Sequence, residues 1–127
     1  MDIIEKLKKR WDGISYPFLI YSDSELYFNN ILEQKTLDLS DVHSGDVVAL
    51  IGDFDPQTIH TLLHLMEKNT ILVPLTTDTR YQHEYFFKSA LVDIVIEGNS
   101  FKRIKHSYKH DSIEHLRKKE HAGLVLF

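Results

Sequence analysis

Eight histidines, at 43, 60, 64, 83, 106, 110, 115 and 121, are the side chains best able to do chemistry in a chain of 127 residues that contains no cysteine. His60 and His64 stand four apart in a segment with helical periodicity, so they share a helix face, a spacing that can hold a metal. Thr61 occupies the place where the H-E-x-x-H pattern needs its glutamate base, and spacing places no third ligand. The expectation is two polar residues on the outer flank of a helix that covers a sheet. His106 and His110 repeat the spacing where no helix can be assigned, and His43, His83, His115 and His121 are scattered. A second group is Gly52-Asp53-Phe54-Asp55, between an apolar run and a helix start, where α/β proteins place ligands and paired aspartates can hold Mg²⁺. One glycine and two carboxylates repel a phosphate, and helix capping already accounts for Asp55. Asp78, Arg80, His83 and Glu84 gather at another helix start and could move a proton, although helix starts select such residues anyway. Ser44 precedes Gly45 without the G-x-S-x-G frame of a nucleophile elbow. Neither G-x-G-x-x-G nor G-x-x-x-x-G-K-[ST] occurs. No catalytic, cofactor-binding or metal-binding residue is expected in these 127 residues.

Composition narrows the partners. Fifteen Lys and Arg against 19 Asp and Glu give a formal charge of −4, which argues against binding driven by phosphate neutralisation. The first ten residues mix charge through their apolar positions and lack the core of a signal peptide, and no segment approaches a membrane span. With no cysteine, the expected location is the cytoplasm.

The elements that would position these groups follow from periodicity. Ile3, Ile4, Leu7 and Trp11 predict an amphipathic helix over residues 2–10, and Tyr16 to Tyr21 a strand. Ser22 with Glu25 matches a capping box, predicting a helix that turns Leu26, Tyr27, Ile31 and Leu32 inward, with a Ser22→Ala cost of about 1 kcal/mol. Val47 to Ile51 and Ile71 to Leu75 are continuous apolar runs, the pattern of strands covered on both faces. Between them Asp55 and Pro56 open a helix carrying Ile59, Leu62, Leu63 and Met66 and closing near Asn69. A helix over about 80–91 using Tyr85, Phe86 and Leu91, a strand Asp93 to Ile96 and a helix Ser112 to Glu120 continue the alternation, while residues 100–110 fit either a ragged strand pair or a loop. The fold class is a single α/β domain over residues 1–127, a layered, largely parallel sheet with flanking helices. Ala122 to Phe127 reads as a buried strand without a stop signal, which predicts the front piece of a longer protein.

The string Gly45-Asp46-Val47-Val48-Ala49, a helix, and then Val73-Pro74-Leu75 resembles the opening of the AMP-forming acyl-CoA synthetases and related adenylate-forming ligases. Tyr21 to Leu26, Thr79 to Leu91 and Asp93 to Ile96 are similar to neighbouring elements of that family, so the resemblance covers roughly residues 16–127. Asn69 stands where the family usually has glycine, and Gly52-Asp53-Phe54 replaces a more usual loop. The resemblance implies the N-terminal subdomain of a ligase that converts a carboxylate to an acyl-adenylate and then to an acyl-CoA. In such enzymes the strand resembling Ala122 to Phe127 leads into a phosphate-binding loop, so the implied ATP, Mg²⁺ and coenzyme A belong to the parent enzyme and this piece is expected to be inactive alone. The implied partner is the remainder of the ligase chain, and self-association through uncovered apolar surface is also expected. The alternatives are a free-standing α/β interaction module without catalysis and a response-regulator-like domain using Asp53 and Asp55.

Overall fold

The computed structural model describes residues 2–35, 37–104, 106 and 108–127. Its centre is a five-stranded sheet in the order β6-β5-β3-β4-β7, made of β3 (Val47–Ile51), β4 (Ile71–Leu75), β5 (Ile94–Glu97), β6 (Ser100–Arg103) and β7 (Gly123–Leu124). Every pairing is parallel except the β5–β6 hairpin. Val47 pairs with Ile71 and Ile51 with Leu75, while Val48 pairs with Ile94, so β3 lies covered on both sides and all five of its residues are buried. That burial is why its sequence is an unbroken apolar run.

Helices follow from strand order. The chain leaves β3 for β4 on one side, then returns across β3 to β5 on the other. A right-handed crossover in each direction puts the two connecting helices on opposite faces. Accordingly α3 (Pro56–Glu67) sends Leu65 to a core with Val48, Leu50, Leu72, Ile94 and Ile96. The opposite face, Val47, Ala49, Ile51, Ile71, Val73 and Leu75, packs with Ala90, Val92, Phe86 and Phe87 around α4 (His83–Ser89) and with Ile113 and Leu116 of α5 (Asp111–Lys118). A third layer lies outside α3, where α1 (Ile3–Trp11) and α2 (Phe28–Leu32) close over Leu63 with Ile4, Phe28 and Ile31. Trp11, Phe18 and Phe28 meet edge to face there, with centroids 5.0 and 5.2 Å apart.

Several expectations are corrected. Ser22 does not cap a helix: it sits at φ +55 in the turn of a hairpin between β1 (Leu19–Tyr21) and β2 (Ser24–Leu26), so Glu25 is a strand residue facing Ile20. Helix α2 starts later, where Asn30 Oδ1 accepts from the Tyr27 N–H at 2.8 Å, and it is one and a half turns long. Tyr27 is left largely exposed rather than turned inward. The helix assigned to 80–91 is a 3₁₀ turn, Thr77–Gln82, followed by α4, and Tyr85 on it is exposed. Residues 100–103 form β6, which the alternation of side chains had left open; Lys105 and Ser107 of the undecided stretch, and Met1, lie outside the described residues. The strand read at Ala122 to Phe127 is regular only over Gly123–Leu124. It occupies the sheet edge beside β4, with Leu124, Leu126 and Phe127 exposed rather than buried.

Candidate functional site

Because α3 and α4 lie on opposite faces, the carboxyl ends of β3 and β4 form the crevice in which open α/β sheets receive ligands. Two loops line it, Gly52 to Asp55 and Thr76 to Gln82. Asp55 Oδ1 accepts from the Thr58 N–H at 2.9 Å and its Oδ2 from the Thr58 hydroxyl at 2.7 Å, the N-cap predicted from sequence, with Pro56 at the first helical position. Thr58 in turn leaves no room at Gly52, where an added Cβ would collide with its side chain. Asp53 crosses the crevice: its carboxylate accepts from the Thr77 hydroxyl at 2.7 Å and the Thr77 N–H at 3.1 Å, and these two bonds hold its pKa below the usual aspartate value. Asp78 accepts from the Thr76 hydroxyl. Arg80, the one cation in these loops, forms a fork-to-fork pair with Glu97 at 3.0 and 2.6 Å. The hydrogen bonds of that pair raise the pKa of Arg80 and lower that of Glu97.

The charged side chains of these loops are thus engaged with one another. Both aspartates are occupied as acceptors, the cation is neutralised, and a phosphate would meet carboxylates and the exposed Phe54 ring rather than bare N–H groups. These residues do not fit the ATP phosphates or Mg²⁺, and no cluster of three or more metal-ligating side chains occurs among the described residues. His83 is brought close to Asp78 in sequence but turns inward, donating from Nε2 to the Thr76 carbonyl at 2.9 Å, with the Thr79 hydroxyl at 3.2 Å. Glu84 is exposed and pairs loosely with Lys88 at 3.7 Å. The set Asp78, Arg80, His83 and Glu84 therefore splits into four separate jobs.

His60 corrects a further expectation. It is buried, not on an outer flank, because α1 and α2 cover that side of α3, and its Nδ1 donates to the Ile31 carbonyl at 2.7 Å. Its ring stands 4.4 Å from that of His64, whose pKa is lowered by burial first and by His60 second, with Glu67 opposing. Sequence alone carried no signal for this, since the covering layer comes from residues far away in the chain.

At the amino end of the sheet a second polar cluster appears that the sequence did not announce. Asp93 accepts from the Val47 N–H at 2.8 Å, from Arg117 at 3.2 Å and from His106 Nε2 at 2.8 Å. Arg117 also donates to the Gly45 carbonyl at 2.8 Å and to Glu114 at 2.6 Å. Gly45 has φ +87, a conformation that favours glycine, and lies close against the Arg117 stem. This cluster ties α5 to the start of β3. A groove of about 1170 Å³ is lined by Phe87, Leu91, Val95 and Ile104 and, at the carboxyl ends of the strands, by Ile51, Arg80, His83 and Glu97.

No protein-family model matches the chain, and no curated protein matches it. Solved structures do. The N-terminal subdomain of NpsA from Klebsiella oxytoca superposes with a TM-score of 0.57 at 18% identity over 92% of this chain and 32% of that one. NpsA in complex with 3-hydroxyanthranilyl-AMSN gives a TM-score of 0.61 at 17% identity over 98% of this chain and 24% of that one. NpsA-ThdA, an artificially fused Adenylation-PCP di-domain NRPS, gives 0.59 at 18% over 98% and 22%. The chain therefore spans a third or less of each of these three solved chains, and its layered α/β sheet has the fold of the NpsA N-terminal subdomain.

Proposed function

We propose that this chain is the N-terminal scaffold of an adenylate-forming ligase, one that condenses a carboxylate with ATP to an acyl-adenylate and then passes the acyl group to a thiol. The observation that carries the reading is the superposition of 98% of the chain on NpsA, reached independently of the Gly45 to Ala49 and Val73 to Leu75 strings that resemble the same family. On this reading the parent enzyme uses ATP and Mg²⁺, coenzyme A is the acceptor suggested by the sequence resemblance, and the partner of these residues is the remainder of the ligase. A carrier-protein thiol is the second reading for the acceptor, favoured by the Adenylation-PCP description of one matched structure. The cytoplasmic assignment rests on the cysteine-free composition.

The test has two arms. Calorimetric titration of the 127-residue protein with ATP-Mg²⁺ gives no binding heat if the scaffold reading holds, and micromolar affinity overturns it. The protein in its natural length, assayed for pyrophosphate release against a panel of carboxylates, shows carboxylate-dependent release; a folded protein that releases none with any of them overturns the ligase assignment.

A further inference from the structure

Residues 2–34 form a unit of their own on the outside of α3. The hairpin β1–β2 is a separate two-stranded sheet, and α1 and α2 pack on α3 through the apolar seam of Ile4, Phe28 and Ile31 against Leu63. Among the described residues one hydrogen bond and no ion pair joins this unit to the rest of the chain, and that bond runs from His60 Nδ1 to the Ile31 carbonyl at 2.7 Å. His60 is 1% exposed. The half-buried ring of His64, one turn along on the same helix face, lies 4.4 Å from it. Few charges surround the pair. Glu67, on the next turn of α3, is the opposing charge at His64, and Lys68 turns away to the Val42 carbonyl at 3.2 Å. On the covering side every charged residue is exposed, from Glu5, Lys6, Lys8, Lys9 and Arg10 of α1 to Asp23 and Glu25 of the hairpin and Glu33 after α2, and α2 itself carries no titratable side chain.

We propose that this unit is released by acid: protonation at the His60–His64 pair detaches α1, the hairpin and α2 from α3 while the five-stranded sheet stays folded. The bond to Ile31 is not what breaks, because Nδ1 carries its hydrogen in the neutral and the charged ring alike. What changes is charge. A proton on His64 puts a cation at the rim of an apolar seam, beside a second imidazole that takes up a proton only by setting like charges side by side. Burial is the first cause of the lowered His64 pKa and His60 the second, and water relieves the first and screens the second once the unit opens. The closed form therefore binds the proton less readily than the open one, so it is favoured above about pH 6.5 and loses ground below it. The sheet keeps its own two cores, neither of which includes a residue of the unit. The inference concerns contacts within these residues and is independent of the ligase assignment.

Trp11, the one tryptophan of the chain, packs within the unit against Tyr16 and Phe18, so its emission reports the unit separately from the sheet. The test takes the 127-residue protein from about pH 7.5 to about pH 5, reading Trp11 emission together with amide exchange corrected for its intrinsic pH dependence. Trp11 emission shifts to the red below about pH 6.5, and the amides of α1 and α2 lose about tenfold or more of their protection while those of β3 and β4 keep theirs. His64→Gln holds the unit closed down to about pH 5. Glu67→Gln removes the opposing carboxylate and moves release to higher pH, which keeps the test decisive where His64→Gln fails to fold. Emission and protection that stay constant over the whole range overturn the proposal. So does a sheet that loses protection together with the unit, or a release that the folded variants leave at the same pH.

Discussion

At the scale of single residues, the groups that looked reactive are the ones that hold loops and layers together. Asp55 is the clearest case: its two bonds to Thr58 close the first turn of α3, and Asp55→Ala should lower stability by about 1 kcal/mol in urea unfolding. Ser22, read as a cap from its spacing to Glu25, makes no such contribution, and Ser22→Gly should leave stability unchanged or raise it, because φ +55 favours glycine. Asn69 shows the same physics. It replaces the glycine usual at this point of the resembling family and takes φ +59, a conformation asparagine tolerates better than most residues. His64 gives a pH prediction. Its pKa is lowered in the folded protein, so the unfolded chain binds the proton more readily, and stability that is full above about pH 6.5 declines as the pH falls below that value. Urea midpoints measured from about pH 7.5 to 5 should fall toward acid, and His64→Gln should flatten part of that slope. A slope unchanged by the substitution would show that His64 is not its source.

At the scale of elements, the parallel strands were legible and the connections were not. Val47 to Ile51 and Ile71 to Leu75 announce themselves because burial on both faces demands apolar residues at every position. Gly52 was seen only as part of a loop, whereas its real constraint is the Thr58 side chain packed against it. Gly52→Ala should therefore cost about 1 to 3 kcal/mol, since the new methyl must displace the capped turn, and Thr58→Ser should recover part of the loss. Chemical denaturation of the single and double variants checks this. Leu72, buried between β3 and β7 and under α3, should cost about 2 to 5 kcal/mol when truncated to alanine. The short hairpin β1–β2 and helix α2 were misread because a serine three residues before a glutamate is a cap only if the backbone there turns into a helix, and here it turns into a strand.

For the whole molecule, the sheet order β6-β5-β3-β4-β7 explains both the fold and the place of its crevice. Switching from β4 back across β3 to β5 opens a crevice at the strand ends, and there Asp53 bonds to Thr77 and Arg80 to Glu97. The ionic one of these pairs is exposed and screened by salt, so Arg80→Ala should change stability little, within the small range of surface pairs. Among the described residues no helix is long and apolar enough to cross a membrane. The sequence by itself determined the α/β class, the parallel core strands, the cap at Asp55 and the family resemblance, because each is a local consequence of residue type and spacing. Only the tertiary structure decided that His60 is buried under α1 and α2, that Asp93 gathers His106, Arg117 and the start of β3, and that the strand at the end of these residues is regular only over Gly123–Leu124, beside β4, with Leu124, Leu126 and Phe127 exposed. Those outcomes depend on which distant segment lies alongside, and an apolar run has the same pattern whether its neighbour is present or still to be recruited.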